Sequence, residues 1–129
     1  LLSVRNGAKA VEFYKAAFEA TELFRVDSES GEVVARLSAG GAEFWVADES
    51  PEHFTFSPQT LGGGTVRMVM IVKDPDAAFD RAVAAGATVL WPVSNQYGWR
   101  LGRVVDPCGH HSEIRKTLSH DSQADCAKA

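Results

Sequence analysis

The chain has 129 residues, 45% of them hydrophobic and 23% charged, with a formal net charge of −4. That length and balance fit one globular domain with a real core. The acidic balance excludes nucleic acid and anionic membrane as main partners, since both select a basic face, and no apolar run approaches the roughly 20 residues of a membrane span.

The first element is a short apolar strand in "LSV", followed by a polar corner and an amphipathic helix. Ala10, Val11, Tyr14, Ala17 and Phe18 recur at helical spacing and form its buried stripe. Asn6 is the cap candidate. Glu19 stands where a glycine normally ends a helix, so this end either stores strain or closes differently. Three strands follow over 22–26, 32–37 and 42–47, with "SESG" and "SAGG" as corners. In the third, Glu43, Trp45 and Ala47 alternate onto one face, and Phe44 and Val46 onto the core side. Residues 49–65 are rich in Pro, Gly and polar side chains and read as a connector. Its "LGGG" is flexible in this reading, and Phe54 and Phe56 are lid candidates.

The same pattern then repeats. "MIVKDPDAAFDRAVAAGAT", from Met70 to Thr88, aligns Val72 with Val4, an offset of 72 − 4 = 68. Asp74 is the N-cap and Pro75 the first helical residue. Ala78, Phe79, Ala82, Val83 and Ala85 form the apolar stripe, and Gly86 is a left-handed stop. Strands follow over 88–92, 103–105 and 111–115, with "NQYGWRLG" and "DPCG" as corners. In the last strand His111, Glu113 and Arg115 share one face, while His110, Ser112 and Ile114 share the other. The dense "DPCGHHSEI" is therefore a corner feeding a strand and not a local metal cluster. The expected architecture is α+β. Two tandem βαβββ modules, 1–48 and 66–118, form a half-open curved mixed sheet with a cleft, within one domain over 1–118.

Residues 119–129 form a polar tail that reads as frayed and contains Cys126. With two cysteines and no signal-peptide pattern, a reducing cytoplasm is expected and a disulfide framework is not. The sequence opens inside an apolar run without an initiator Met, so residues are expected before Leu1.

The words "AVEFYKAAF" (10–18), "SPQTLGGG" (57–64), "DPDAAFDRAVAAGAT" (74–88) and "QYGWRLGRVVDPCGHHSEI" (96–114) occur in this order across almost the whole chain apart from the tail. With the duplicated organisation, they resemble the vicinal oxygen chelate superfamily of glyoxalase I, bleomycin-resistance proteins and extradiol dioxygenases. The closest likeness is to the PhnB-like branch. The resemblance implies paired modules, a cleft and a homodimer. In metal-dependent members it implies four ligands, one on the first and one on the last strand of each module. The last-strand positions fall on Glu43 and Glu113. The second first-strand position falls near Arg67, and its counterpart, at 67 − 68 = −1, lies before Leu1. Zinc, nickel or iron needs at least three protein ligands, and Arg67 puts a permanent positive charge at the fourth corner. No cofactor is therefore expected, with Arg67 paired to Glu43, Glu113 or an anionic ligand. The alternative is Ni, Zn, Fe or Mn on Glu43 and Glu113, completed by His111 or an upstream residue.

The expected cleft residues are Glu43, Trp45, Arg67, Tyr97, Trp99, His111 and Glu113. Glu113 and His111 are the catalytic candidates, His111 as a general base near neutral pH; otherwise His111 is a cleft residue without a catalytic task. His110 is expected to pack or hydrogen-bond, Cys108 to be a buried thiol, and Phe44 and Trp91 to pack. Ser112 stands where the PhnB-like pattern carries a Trp, which leaves less bulk on its face. Trp walls, two carboxylates and an Arg suit a flat or amphipathic molecule with a cationic or hydrogen-bonding group. The leading expectation is a glyoxalase/bleomycin-resistance-type protein that binds a small organic molecule without a catalytic metal. The alternatives are a metal-dependent lyase, isomerase or dioxygenase of that superfamily, and a non-catalytic interaction or regulatory protein with an extra exposed apolar patch.

Overall fold

In a computed structural model, residues 1–118 are described; the 119–129 tail, and Cys126 with it, lies outside the described residues. The amino-terminal strand β1 (Leu2–Val4) leads into α1 (Gly7–Phe18), capped by the Asn6 side chain, which accepts from the Lys9 amide at 3.1 Å. Then come β2 (Thr21–Asp27), β3 (Val33–Ala39) and β4 (Ala42–Asp48). After a single 3-10 turn over Pro51–His53 and the short α2 (Pro58–Leu61), the series recurs. It runs β5 (Arg67–Ile71), α3 (Pro75–Ala84), β6 (Thr88–Gln96), β7 (Trp99–Val105) and β8 (His111–Thr117). Asp74 caps α3 by accepting from the Ala77 amide.

The modules form two four-stranded mixed sheets of identical topology, β1-β4-β3-β2 and β5-β8-β7-β6. Each has one parallel pair and two antiparallel ones. This is the open α+β architecture the repeat implied. Each helix covers one face of its own sheet, α1 with the whole stripe read from the sequence and α3 with Ala78, Phe79 and Ala82 of its stripe, whereas Val83 is exposed and Ala85 lies just past the helix end. Val4, Val11, Leu37 and Val46 are fully buried in the first module, and Ala82, Val104 and Ile114 in the second. The helices meet where the modules join: Arg81 of α3 reaches the Ala17 carbonyl and pairs with Glu19 at 3.0 Å. Glu19 takes the left-handed conformation (φ 54°), so the first helix stops in the strained way.

The second module departs from expectation at β6 and β7, which run to Gln96 and from Trp99. The long corner shrinks to Tyr97-Gly98, with φ of 51° and 79°, the doubly left-handed turn of a two-residue hairpin. Pro92 and Gly102 disguised these strands, because both residues argue against strand interiors. Pro92 sits where the β6–β7 register shifts between Trp91 and Ser94, so no regular ladder bond is lost there. Gly102 is required because Phe79 and Val93 occupy its side-chain space. The first part of the connector is tied down. Glu49 accepts from the Ser57 amide (2.7 Å) and the Thr60 hydroxyl (2.8 Å), and Ser57 is fully buried. No helix among the described residues is long and apolar enough to cross a membrane.

Candidate functional site

Because Ile114 of β8 is buried in the core, strand alternation turns Glu113 to the sheet face away from α3. Only 5% of Glu113 is exposed, yet three guanidinium groups converge on it. Arg103 lies directly opposite it in the β7–β8 register, Arg115 two residues further along β8, and Arg67 at the start of the neighbouring β5. The distances are 3.5 Å from Arg67 Nε, 3.6 Å from Arg103 Nη2 and 3.1 Å from Arg115 Nη1. The local balance is +3 − 1 = +2. These four residues floor a depression of about 430 Å³, walled by Trp91, Tyr97, Trp99 and Leu101. The Arg115 guanidinium lies 4.4 Å from the centre of the Trp99 ring, a cation–π contact that holds both side chains. Among the described residues the Arg67 and Arg103 guanidinium groups donate no hydrogen bond to the protein, and Arg115 Nε is buried without a partner.

Of the residues expected to meet in one cleft, the structure gathers Arg67, Tyr97, Trp99 and Glu113. Glu43, Trp45 and His111 are not among the lining residues. Glu43 and Trp45 sit on β4 of the other sheet, where Arg36 lies 3.5 Å from the Glu43 carboxylate and over the Trp45 ring, and Phe24 packs edge-on to Trp45. The reason is topological. The repeat places Glu43 and Glu113 on equivalent faces of separate sheets, and among the described residues no hydrogen-bonded strand pair joins those sheets. His111 is half-buried and has no hydrogen-bond partner among the described residues. Phe54 and Phe56 are not among the lining residues of the depression either.

Sequence reading missed Arg103 and Trp91. Strand alternation already put Arg115 on the face of Glu113, but Arg103 needed the β7 register, which Gly102 obscured. Trp91 does not pack as expected. It is 57% exposed, turned outward at the register shift after Val89.

A larger cavity of about 840 Å³ lies between the modules on the helix side, lined by Tyr14, Phe44, Met68, Met70, Ala78 and Ser112, among others. Several of its polar groups are already paired with one another or with the backbone. The Tyr14 hydroxyl donates to Asp106 Oδ2 at 2.5 Å, Asp106 Oδ1 accepts from the Cys108 and His110 amides, and His110 Nε2–H donates to the Ser3 carbonyl at 2.9 Å. That network bolts the "DPCGH" corner to α1 and β1. His110 hydrogen-bonds, as expected. The arginine-floored depression, with its unused donors, is the candidate site.

A family model described as a glyoxalase-like domain matches residues 1–114. The chain belongs to this glyoxalase-like family. It is 40% identical over 115 residues to an uncharacterized protein of Mycobacterium bovis, covering 85% of this chain and 76% of that one. Among solved structures it is similar to TioX from Micromonospora sp. ML1, at 29% identity and a TM-score of 0.69, covering 91% of this chain and 94% of that one. The PhnB protein from Bacillus cereus shares the fold, with a TM-score of 0.67 at 20% identity, covering 89% of this chain and 95% of that one. The glyoxalase-like chain is thus a vicinal oxygen chelate superfamily member with a PhnB-like neighbour.

The metal that some members of the superfamily carry does not fit the residues of this glyoxalase-like domain. No group of three His, Cys, Asp or Glu side chains converges among the described residues. The one buried carboxylate on the site face is already surrounded by permanent cations, whose charge opposes a divalent ion.

Cys108 is buried, and burial, then the Asp106 charge, pushes its thiol up to about 12. The thiolate is the reactive form. In a Cys126→Ala background Cys108 is therefore expected to stay unmodified by a thiol-exchange reagent at neutral pH and to react only on unfolding. Rapid labelling of the folded protein would contradict this environment.

Proposed function

We propose that this glyoxalase-like protein binds a small organic molecule in the depression floored by Glu113 and its arginines, without a catalytic metal. The reading is supported by the ion pairs at Glu113, a position that the family resemblance assigns to a metal ligand. Glu113 faces three guanidinium groups, one of them from Arg67, the residue at the first-strand ligand position. Aromatic walls around a few polar groups are the usual make-up of a small-molecule pocket, and the volume falls in the usual range. Glu113 acts in this reading as an electrostatic anchor. Among the described residues the His111 side chain has no orienting partner of the kind a general base needs.

A second copy of the chain is the proposed protein partner, and the cytoplasm the proposed compartment. Apolar side chains stand exposed along β2 (Leu23, Phe24, Val26) and β5 (Met68, Val69, Ile71), more than scattered surface residues explain. β5 is also a sheet edge, with a free ladder side. Light scattering after gel filtration is expected to give a dimer mass.

Trp fluorescence tests the binding reading. Flat aromatic compounds are expected to quench it, and Trp99→Phe to remove most of the response. Silence across such a panel would overturn the reading. Metal analysis of protein purified without chelator is expected to give well under one equivalent. Stoichiometric Ni, Zn, Fe or Mn lost in a Glu43→Gln/Glu113→Gln double variant would establish the metal-dependent alternative instead.

A further inference from the structure

We infer that the ligand of this depression is a small aromatic oxyanion, its acid group lying between Arg67 and Arg103 and its ring against Trp99 and Trp91. The inference rests on the reading that the depression is a binding site, and it replaces the cationic ligand suggested when only Arg67 was counted. Three guanidinium groups exceed what one carboxylate needs. Arg–carboxylate pairs normally close two parallel hydrogen bonds, but Arg67 and Arg103 approach Glu113 only at 3.5 and 3.6 Å and use none of their forks on the protein. An excess of +2 at the floor of one concavity focuses a positive field that attracts a small counter-anion. Among the described residues Glu113 is the sole acidic side chain lining the depression. The two donors are open to a ligand, with side-chain exposures of 49% for Arg67 and 34% for Arg103. Trp91, at 57% exposed, offers a ring face with little covering it. The chain as a whole carries −4, so polyanions are repelled at range while a small anion reaches the local cluster.

The test uses three matched probes on the intact protein: cinnamate, cinnamamide and cinnamylamine, a cation at neutral pH. Binding is followed by the Arg Nε–H and Trp Nε1–H signals in heteronuclear NMR. Cinnamate is expected to bind about tenfold more tightly than the amide and to move the Arg67 and Arg103 signals, with the amine weakest. Arg67→Gln and Arg103→Gln are each expected to weaken cinnamate far more than cinnamamide and so to erase the acid-over-amide preference. Both residues are partly exposed, and melting curves check that the variants fold. Glu113→Gln raises the local balance from +2 to +3 and is expected to tighten cinnamate, where a metal site would lose its ligand. Amide binding equal to acid binding, or a preference that survives both Arg→Gln changes, would overturn the anion inference and leave the binding reading standing. No shift of the Trp99 or Arg signals with any probe at millimolar concentration would overturn both.

Discussion

Replacing Asp106 with alanine should cost about 3 kcal/mol of stability, because three hydrogen bonds to one buried carboxylate disappear together and strand their donors. Asp106 is 4% exposed. Its Oδ1 accepts from the Cys108 and His110 amides and so folds the "DPCG" corner, while Oδ2 takes the Tyr14 hydroxyl of the other module. The carboxylate thus joins a local turn to a contact spanning 92 positions of sequence. Denaturant unfolding measures the loss, and a change below about 0.5 kcal/mol, the size of an ordinary surface substitution, would contradict it. Tyr14→Phe should cost less, about 1.5 kcal/mol, since it removes one charge-assisted bond and leaves the two amide bonds.

The same contact sets an alkaline limit. Burial, and then the adjacent Asp106 charge, raises the Tyr14 pKa well above the ordinary phenol range. A group whose folded pKa lies above its unfolded one contributes stability that is complete below the unfolded value, about 10 for tyrosine, and declines as pH rises beyond it. Stability should therefore fall above about pH 10. Tyr14→Phe, which cannot ionise, should remove that part of the decline, while Asp106→Ala should only soften it, because burial remains.

What the sequence made legible was what depends on local pattern. Helical spacing of Ala10, Val11, Tyr14 and Phe18 marked the buried face of α1, the caps at Asn6 and Asp74 marked where helices start, and the 68-residue offset marked the duplication. The alternation in "HHSEI" separated His110 from His111 and set Glu113 opposite the core. What stayed hidden depends on distant pairing. Arg103 faces Glu113 through a β7–β8 register that no local pattern encodes. Asp106 looked like a turn residue, and only the packing of α1 onto the second module gives it Tyr14. The family likeness suggested that Glu43 and Glu113 converge, but whether two modules place their equivalent faces in one cleft is decided by how the sheets meet. Here the modules meet through α1, α3 and the Asp106 corner instead.

Gly102 is the position where a single methyl group should do most harm. It lies within β7, the strand covered by α3, and a Cβ built there would stand 2.8 Å from Phe79 Cε2 and 2.8 Å from Val93 Cγ2. Carbon atoms do not approach that closely, so the ring, the valine or the strand must move. Phe79 is 7% exposed and has little free room, so Gly102→Ala should cost about 2 kcal/mol by overpacking. A Phe79→Leu change made with it should recover part of that cost, since the clash is with the ring edge. Alone, Phe79→Leu should also destabilise, so the double variant is expected to lose much less than the sum of the two single losses. Additive losses would show that the strand yields instead of the ring. The outcome bears on the site directly, because β7 carries Arg103 and is flanked by β8 with Glu113. A strand displaced by Gly102→Ala should therefore weaken anion binding as well as stability.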